Sequence, residues 1–239
     1  MKGQLFSSSS THPQVKICGL TREEDVYSAI ISGADAIGCI VGVPRSPRNV
    51  SLNRTKELFS KVPPFMSTVI VIVSSSAKEV FEIDKNIETS AVQIHGNYSL
   101  EMLEKLRGKI SAKLIATLTI DVTLSPNKNL IESCVSEALK ISKYCDLLLL
   151  DSGIGGVSGG LGVENNFKVC KIIRESLSQK GNFIVLAGGL TPQNVEQAVR
   201  EVRPYAVDVS SGVETAPGIK DEVLIKQFVK NAKLNSVKE

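Results

Sequence analysis

"FIVLAGGLTPQNVEQAV", residues 183–199, contains one complete structural unit. Its first five residues, Phe183 to Ala187, have the length of a strand and are apolar on both faces, as when a parallel sheet is covered on each side. Gly188 and Gly189 turn the chain. Thr191 and Pro192 then supply a helix cap and a proline at the first helical position. Val195, Ala198, Val199 and Val202 follow at helical spacing and form one apolar stripe. A strand that passes into a helix through a tight glycine turn is a βα unit, and its repetition number sets the fold.

It repeats eight times. The other runs are "VKIC" (15–18), "AIGCIV" (36–41), "TVIVIV" (68–73), "AVQIH" (91–95), "KLIATL" (113–118), "DLLLLD" (146–151) and "AVDVS" (206–210). Each precedes a helix-length gap, at roughly 27 residues per unit, which predicts a single (βα)8 TIM barrel of eight parallel strands surrounded by helices. An open doubly wound sheet is the alternative. The 239 residues suit one such barrel, for which about 250 is typical. No linker divides residues 15–239, which read as one catalytic domain. Residues 1–14 are serine-rich but weakly basic and read as a flexible tail, not a targeting signal. Thr21-Arg22-Glu23-Glu24 reads as a capping box ahead of the stripe Val26, Ala29, Ile30, Gly33.

Composition narrows the class of function. A net charge of +3 is too small for a nucleic-acid partner, and 5% aromatic residues without Trp provide no base-stacking platform. No apolar run approaches the ~18–20 residues of a membrane span. Five cysteines without a C-x-x-C pair, most of them in apolar segments, indicate a reducing, cytoplasmic setting. The two histidines, His12 and His95, are far apart, so no metal site is expected. A small anionic ligand is the compatible partner, with the chain acting as a monomer or homodimer.

In a barrel of this kind the reactive groups stand where strands end at the C-terminal face. Cys18 ends the first strand, His95 the fourth, Asp151 the sixth, and Asp208 with Ser210 the eighth. The glycine turns after strands seven and eight, with Gly188, Gly189, Ser210, Ser211 and Gly212, are placed to hold phosphate on backbone amides. Asp151, at the mouth of an apolar strand and beside a bound phosphate, is expected to have a raised pKa suited to general acid work. The glycine run that follows it reads as a lid. As a base, Cys18 needs a lowered pKa or a proton acceptor on the substrate. Arg48, in the proline-stiffened loop "VPRSPRNVS" (43–51), suits a carboxylate, and Arg45 competes with it.

The segments "VKICGLT", "GADAIGCI", "PRSPRNVS", "VQIHG", "LLLLDS", "LAGGLTPQNV" and "AVDVSSGVE" fall in order over nearly the whole chain and resemble the phosphoribosylanthranilate isomerase family. The resemblance implies a cofactor-free Amadori rearrangement of a phosphosugar in tryptophan biosynthesis. It assigns Asp151 as general acid, Cys18 as general base and Arg48 as the grip on the anthranilate carboxylate. The turns at 188–189 and 210–212 become the phosphate grip, with His95 and Asp208 as site-ordering groups. Two stretches depart from the family pattern: the longer "GGVSGGLGVENNF" after Asp151, and Ile70-Val71-Ile72 on the third strand, where Gly-Val-Phe is common. A metal-dependent epimerase would need clustered histidines, a histidine-pathway isomerase paired aspartates, and a silent phosphosugar binder only the phosphate turns.

Overall fold

The computed structural model describes residues 12–121, 127–154, 157–158 and 167–234. The sequence-expected tail lies outside these residues up to position 11, as does most of the glycine run after Asp151. Among the described residues the barrel strands are β1 (Gln14–Ile17), β2 (Ala36–Val41), β3 (Ser67–Ile72), β4 (Ala91–Ile94), β5 (Lys113–Asp121), β6 (Leu147–Ile154), β7 (Phe183–Leu186) and β8 (Ala206–Val209). Helices α1 (Glu23–Ile31), α2 (Leu52–Phe59), α3 (Ala77–Asp84), α4 (Leu100–Arg107), α5 (Lys128–Ile141), α6 (Phe167–Ser178), α7 (Val195–Val202) and α8 (Glu222–Lys233) alternate with them. Each strand pairs in parallel with the next, and β1 pairs with both β2 and β8, so the sheet closes. None of the described helices is long and apolar enough to cross a membrane.

The continuous apolar runs divide by the two-residue period of a strand. Ile17, Ile37, Ile70, Ile72, Val92, Ile94, Leu114, Leu148, Leu150, Ile184 and Val207 point outward into the layer beneath the helices. Val69, Ala91, Ile115, Leu149, Val185 and Ala206 point inward and pack together as a separate apolar plug. Above the plug the interior turns polar, with Lys16, Gln93 and Asp208 buried in mutual contact. This division places the chemistry at one end.

The opposite end is fastened by carboxylates. Asp35, just before β2, donates its N–H to Val15 O (2.8 Å) and accepts Val15 N–H on Oδ2 (2.8 Å). Asp146, just before β6, does the same with Leu114, at 2.8 and 2.9 Å. Both close the first rung of a strand pair, so these aspartates are structural.

Helix starts follow local chemistry, with Ser51, Ser99, Asn127 and Asp221 each accepting the backbone N–H of the third helical residue. The expected box at Thr21–Glu24 does not form. Arg22 is the N-cap and makes no side-chain cap bond, because the Thr21 hydroxyl donates instead to Gly218 O at 2.7 Å. A tertiary acceptor has outcompeted the local one. At α7 the cap sits a turn ahead of the assigned helix: Thr191 Oγ1 accepts from Gln193 N, and Asn194 Oδ1 accepts from Thr191 N. Periodicity also missed a short strand, Asn49–Val50, beside β2, and a hairpin pairing Glu214–Ala216 with Ile219–Lys220. Runs this short carry no periodic signal.

The last helix closes the ring against α1 and α7 through Ile225, Phe228, Val229 and Ala232, all buried. Phe228 is fully enclosed. Phe228→Ala should therefore cost about 3–5 kcal/mol, read as a lower urea midpoint with an unchanged slope.

Candidate active site

Cys18, His95 and Ala187 reach the barrel mouth because β1, β4 and β7 each extend one rung past their assigned ends, whereas Asp151 lies within β6. Cys18 N–H donates to Val209 O (2.8 Å), His95 N–H to Ile72 O (2.9 Å) and Ala187 N–H to Leu150 O (2.8 Å). Asp151 is paired in register with Thr119 on β5. Cys18 is 5% exposed and Asp151 4%, so both sit in a largely dry floor.

Lys16 lies beneath them, two residues before Cys18 and on the same strand face. Its ammonium donates to Asp208 Oδ2 at 3.0 Å and to Gln93 Oε1 at 2.9 Å. Gly38 makes room for this, since a Cβ there would lie 2.9 Å from Lys16 Cε and 3.0 Å from Cys18 Sγ. Burial alone would lower the ammonium's pKa, but Asp208 and then Cys18 outweigh it and leave Lys16 firmly charged. The second oxygen of Asp208, Oδ1, is buried without a hydrogen-bond partner among the described residues.

These charges set the titration of the mouth. Burial, and then the Asp208 carboxylate, push Asp151 up to about 7, against the pull of Lys16. The elevation expected from bound phosphate is thus supplied by the protein itself. His95 Nε2 stands 3.6 Å from Asp151 Oδ2, too long for a strong hydrogen bond. Burial and the charge of Lys16 hold His95 below its ordinary value, so it faces Asp151 as a neutral imidazole. Cys18 does not have the lowered pKa expected of an activated thiol. Burial pushes it up, and Lys16 and Lys220 recover only part of the shift. Cys18 is therefore a thiol at neutral pH.

The loops complete the rim. Gly19 adopts φ +74°, and a Cβ on it would lie 2.7 Å from Arg48 Cδ and 2.9 Å from Ser210 Oγ. Arg48 and Ser210 therefore meet over the residue next to Cys18. Arg48 is half-buried there, whereas Arg45 is exposed. Arg48 donates from Nε and Nη2 to the two oxygens of Glu214, at 2.8 and 2.6 Å. Gly188 and Gly189 both have positive φ, and the Gly189 carbonyl is tied back by Asn194 Nδ2 at 2.9 Å. Gly212 is packed against the Leu190 carbonyl so closely that a Cβ would lie 1.9 Å from it. The two glycine turns thus form one surface. Ser211 opens a single 3-10 turn between them and the hairpin. Among the described residues no group of three or more His, Cys, Asp or Glu could hold a metal ion.

A sequence profile described as N-(5'phosphoribosyl)anthranilate (PRA) isomerase matches residues 15–231. The chain belongs to this family. It is 40% identical over 220 residues to the N-(5'-phosphoribosyl)anthranilate isomerase of Thermotoga neapolitana, covering 92% of this chain and 98% of that protein. The crystal structure of phosphoribosyl anthranilate isomerase from Thermotoga maritima superimposes with a TM-score of 0.77 at 32% identity, over 92% of this chain and 98% of that one. A phosphoribosyl anthranilate isomerase in complex with reduced 1-(o-carboxyphenylamino)-1-deoxyribulose 5-phosphate gives a TM-score of 0.74 at 32% identity, with the same coverages. Of the family departure on β3, Ile70 and Ile72 pack outward, while Val71 is paired in register with Gln93 and shares its inward face.

Sequence reasoning missed Lys16, Gln93, Glu214 and Lys220. The first two carry a signal, since each is polar in an apolar strand and two residues before Cys18 or His95. Glu214 and Lys220 lie in the hairpin that periodicity could not see. The raised value of Asp151 has a consequence for stability. The folded value lies above the unfolded 3.8, so the stabilisation by the neutral acid is whole below 3.8 and is lost as pH rises through about 7. Asp151→Asn should gain stability over wild type between pH 5 and pH 8.5, by on the order of a few kcal/mol in urea unfolding. A pH-independent difference would contradict the raised value.

Proposed function

We infer that this chain converts N-(5′-phosphoribosyl)anthranilate to 1-(2-carboxyphenylamino)-1-deoxyribulose 5-phosphate, a cofactor-free Amadori rearrangement of tryptophan biosynthesis carried out in the cytoplasm. The observation that carries the reading is the convergence, in a member of this family, of a buried acid poised near 7 and a buried thiol on one dry floor between two anion-holding rims. The phosphate lies on the turns of Gly188–Gly189 and Ser210–Gly212. The anthranilate carboxylate lies against Arg48. Gripping both ends holds the ribose between acid and base, which is the entropic part of catalysis.

Asp151 gives its proton to the ring oxygen as the C1′–O bond breaks, and the nitrogen lone pair forms the C1′=N⁺ bond. The iminium acidifies C2′–H, and the thiolate form of Cys18 takes that proton to become the thiol, while the C–H electron pair forms C1′=C2′ and quenches the iminium. The enolamine then shifts its hydroxyl proton to C1′ to give the ketone. Transfer of one proton from Cys18 back to Asp151 resets the site. Lys16 steadies the thiolate while it exists, and neutral His95 lines the acid.

The reaction needs Asp151 protonated and Cys18 ionised. The pair carries one proton between about 7 and the elevated thiol value, and the active arrangement is the minor tautomer of that state. The kcat/KM profile should accordingly rise through about pH 7, hold, and fall only above the ordinary thiol range. The native fluorescence of the anthranilate substrate, generated in place from anthranilate and phosphoribosyl pyrophosphate by the upstream transferase, reports turnover directly. Cys18→Ser should slow its decay by about 10²–10⁴-fold while leaving the melting temperature unchanged. Near-normal decay would remove Cys18 from the role of base.

A further inference from the structure

The Arg48 guanidinium is held along one edge by the protein itself. Its Nε–Nη2 edge is closed on Glu214, the Nε bond to Oε1 measuring 2.8 Å and the Nη2 bond to Oε2 2.6 Å. A guanidinium offers two bidentate edges, and the other, Nη1 with the second Nη2 proton, has the geometry for a planar carboxylate and makes no hydrogen bond among the described residues. Glu214 is not a loosely paired surface acid. Its carboxylate also accepts Lys220 Nζ at 2.7 Å and Gly218 N–H at 3.3 Å, and its side chain is 5% exposed. Lys220 is fully enclosed, and its two further bonds go to Ser210 O at 3.0 Å and Ser210 Oγ at 3.3 Å. A continuous polar chain therefore runs Arg48–Glu214–Lys220–Ser210, from the arginine of the loop after the second strand to the serine of the turn after the eighth.

We propose that Glu214 is a positioning residue for substrate specificity: anchored through Lys220 to the Ser210 turn, it fixes Arg48 so that the second guanidinium edge meets the anthranilate carboxylate at a set distance from the phosphate grip. This rests on the assignment of Arg48 to that carboxylate. Glu214 is not a competitor that the substrate must expel, because it occupies the edge the substrate does not need. Its role accounts for the hairpin's return from the eighth strand to the loop after the second.

The test compares two stable inhibitors, the reduced 1-(o-carboxyphenylamino)-1-deoxyribulose 5-phosphate and its counterpart lacking the carboxyl group. Glu214→Gln keeps the shape but weakens the charge-assisted pair. It should weaken inhibition by the carboxylated compound on the order of tenfold, with less than about twofold change for the other. Arg48→Ala should discriminate in the same direction, and the double variant should lose little beyond Arg48→Ala alone. Glu214→Asp, which retains the charge, should recover part of the lost affinity. Equal loss for both inhibitors, or full additivity with Arg48→Ala, would overturn the proposal and make Glu214 a structural residue. Discrimination by Arg48→Ala without any by Glu214→Gln would overturn the proposal and leave the role of Arg48 standing. If Arg48→Ala fails to discriminate, the carboxylate assignment falls and the proposal falls with it. Thermal melts of each variant separate these results from loss of fold.

Discussion

An ammonium group inside a β-barrel must be matched by charge and hydrogen bonds, because taking an unpaired cation out of water costs several kcal/mol or more. Lys16 imposes that condition here, and the interior is arranged to meet it. Asp208 supplies the opposite charge, Gln93 a second acceptor, and Gly38 the space. The apolar plug of Val69, Ala91, Ile115, Leu149, Val185 and Ala206 closes the floor below. The same pair then acts upward. Asp208 raises Asp151 while Lys16 opposes it, and Lys16 disfavours a cationic His95 and partly offsets the burial of Cys18. Burial is the largest influence on the protonation of all three groups at the mouth, and one buried ion pair adjusts each of them.

Carboxylates divide between the two ends of the barrel by what their oxygens meet. Asp35 and Asp146 receive backbone N–H groups from a neighbouring strand and hold the sheet together. Asp208 keeps one oxygen without a partner among the described residues, and Asp151 has its pKa pushed up to about 7 by burial and Asp208. The first arrangement stabilises the fold. The second withholds stability, as buried polar groups with open valences do, and keeps it in a form that a ligand can use.

Most of the fold was legible in the sequence, because covered parallel strands are continuous apolar runs and eight of them alternated with helical stripes. Cys18, His95, Asp151 and Asp208 were legible as site candidates since each stands at or near the end of such a run. Lys16 and Gln93 were overlooked although the two-residue period puts them on the faces of Cys18 and His95. The choice between Arg48 and Arg45 needed three dimensions: only the crossing at Gly19 shows which one reaches the mouth. The capping box at Thr21 failed because Gly218, nearly two hundred residues away, took its hydroxyl. The signs were sound where local chemistry decided the outcome, and weak where a distant partner competed.

The seat of the Leu190 carbonyl against Gly212 bears on how this rim can change through descent or by engineering. Neither turn has an independent shape: the backbone of one fills the space left by the missing side chain of the other. A graft that brings in the seventh-strand turn from another barrel must import the eighth-strand turn as well, or meet a backbone collision. The two turns are therefore a single heritable part, with alterations tolerated at its ends before they are tolerated at its seam.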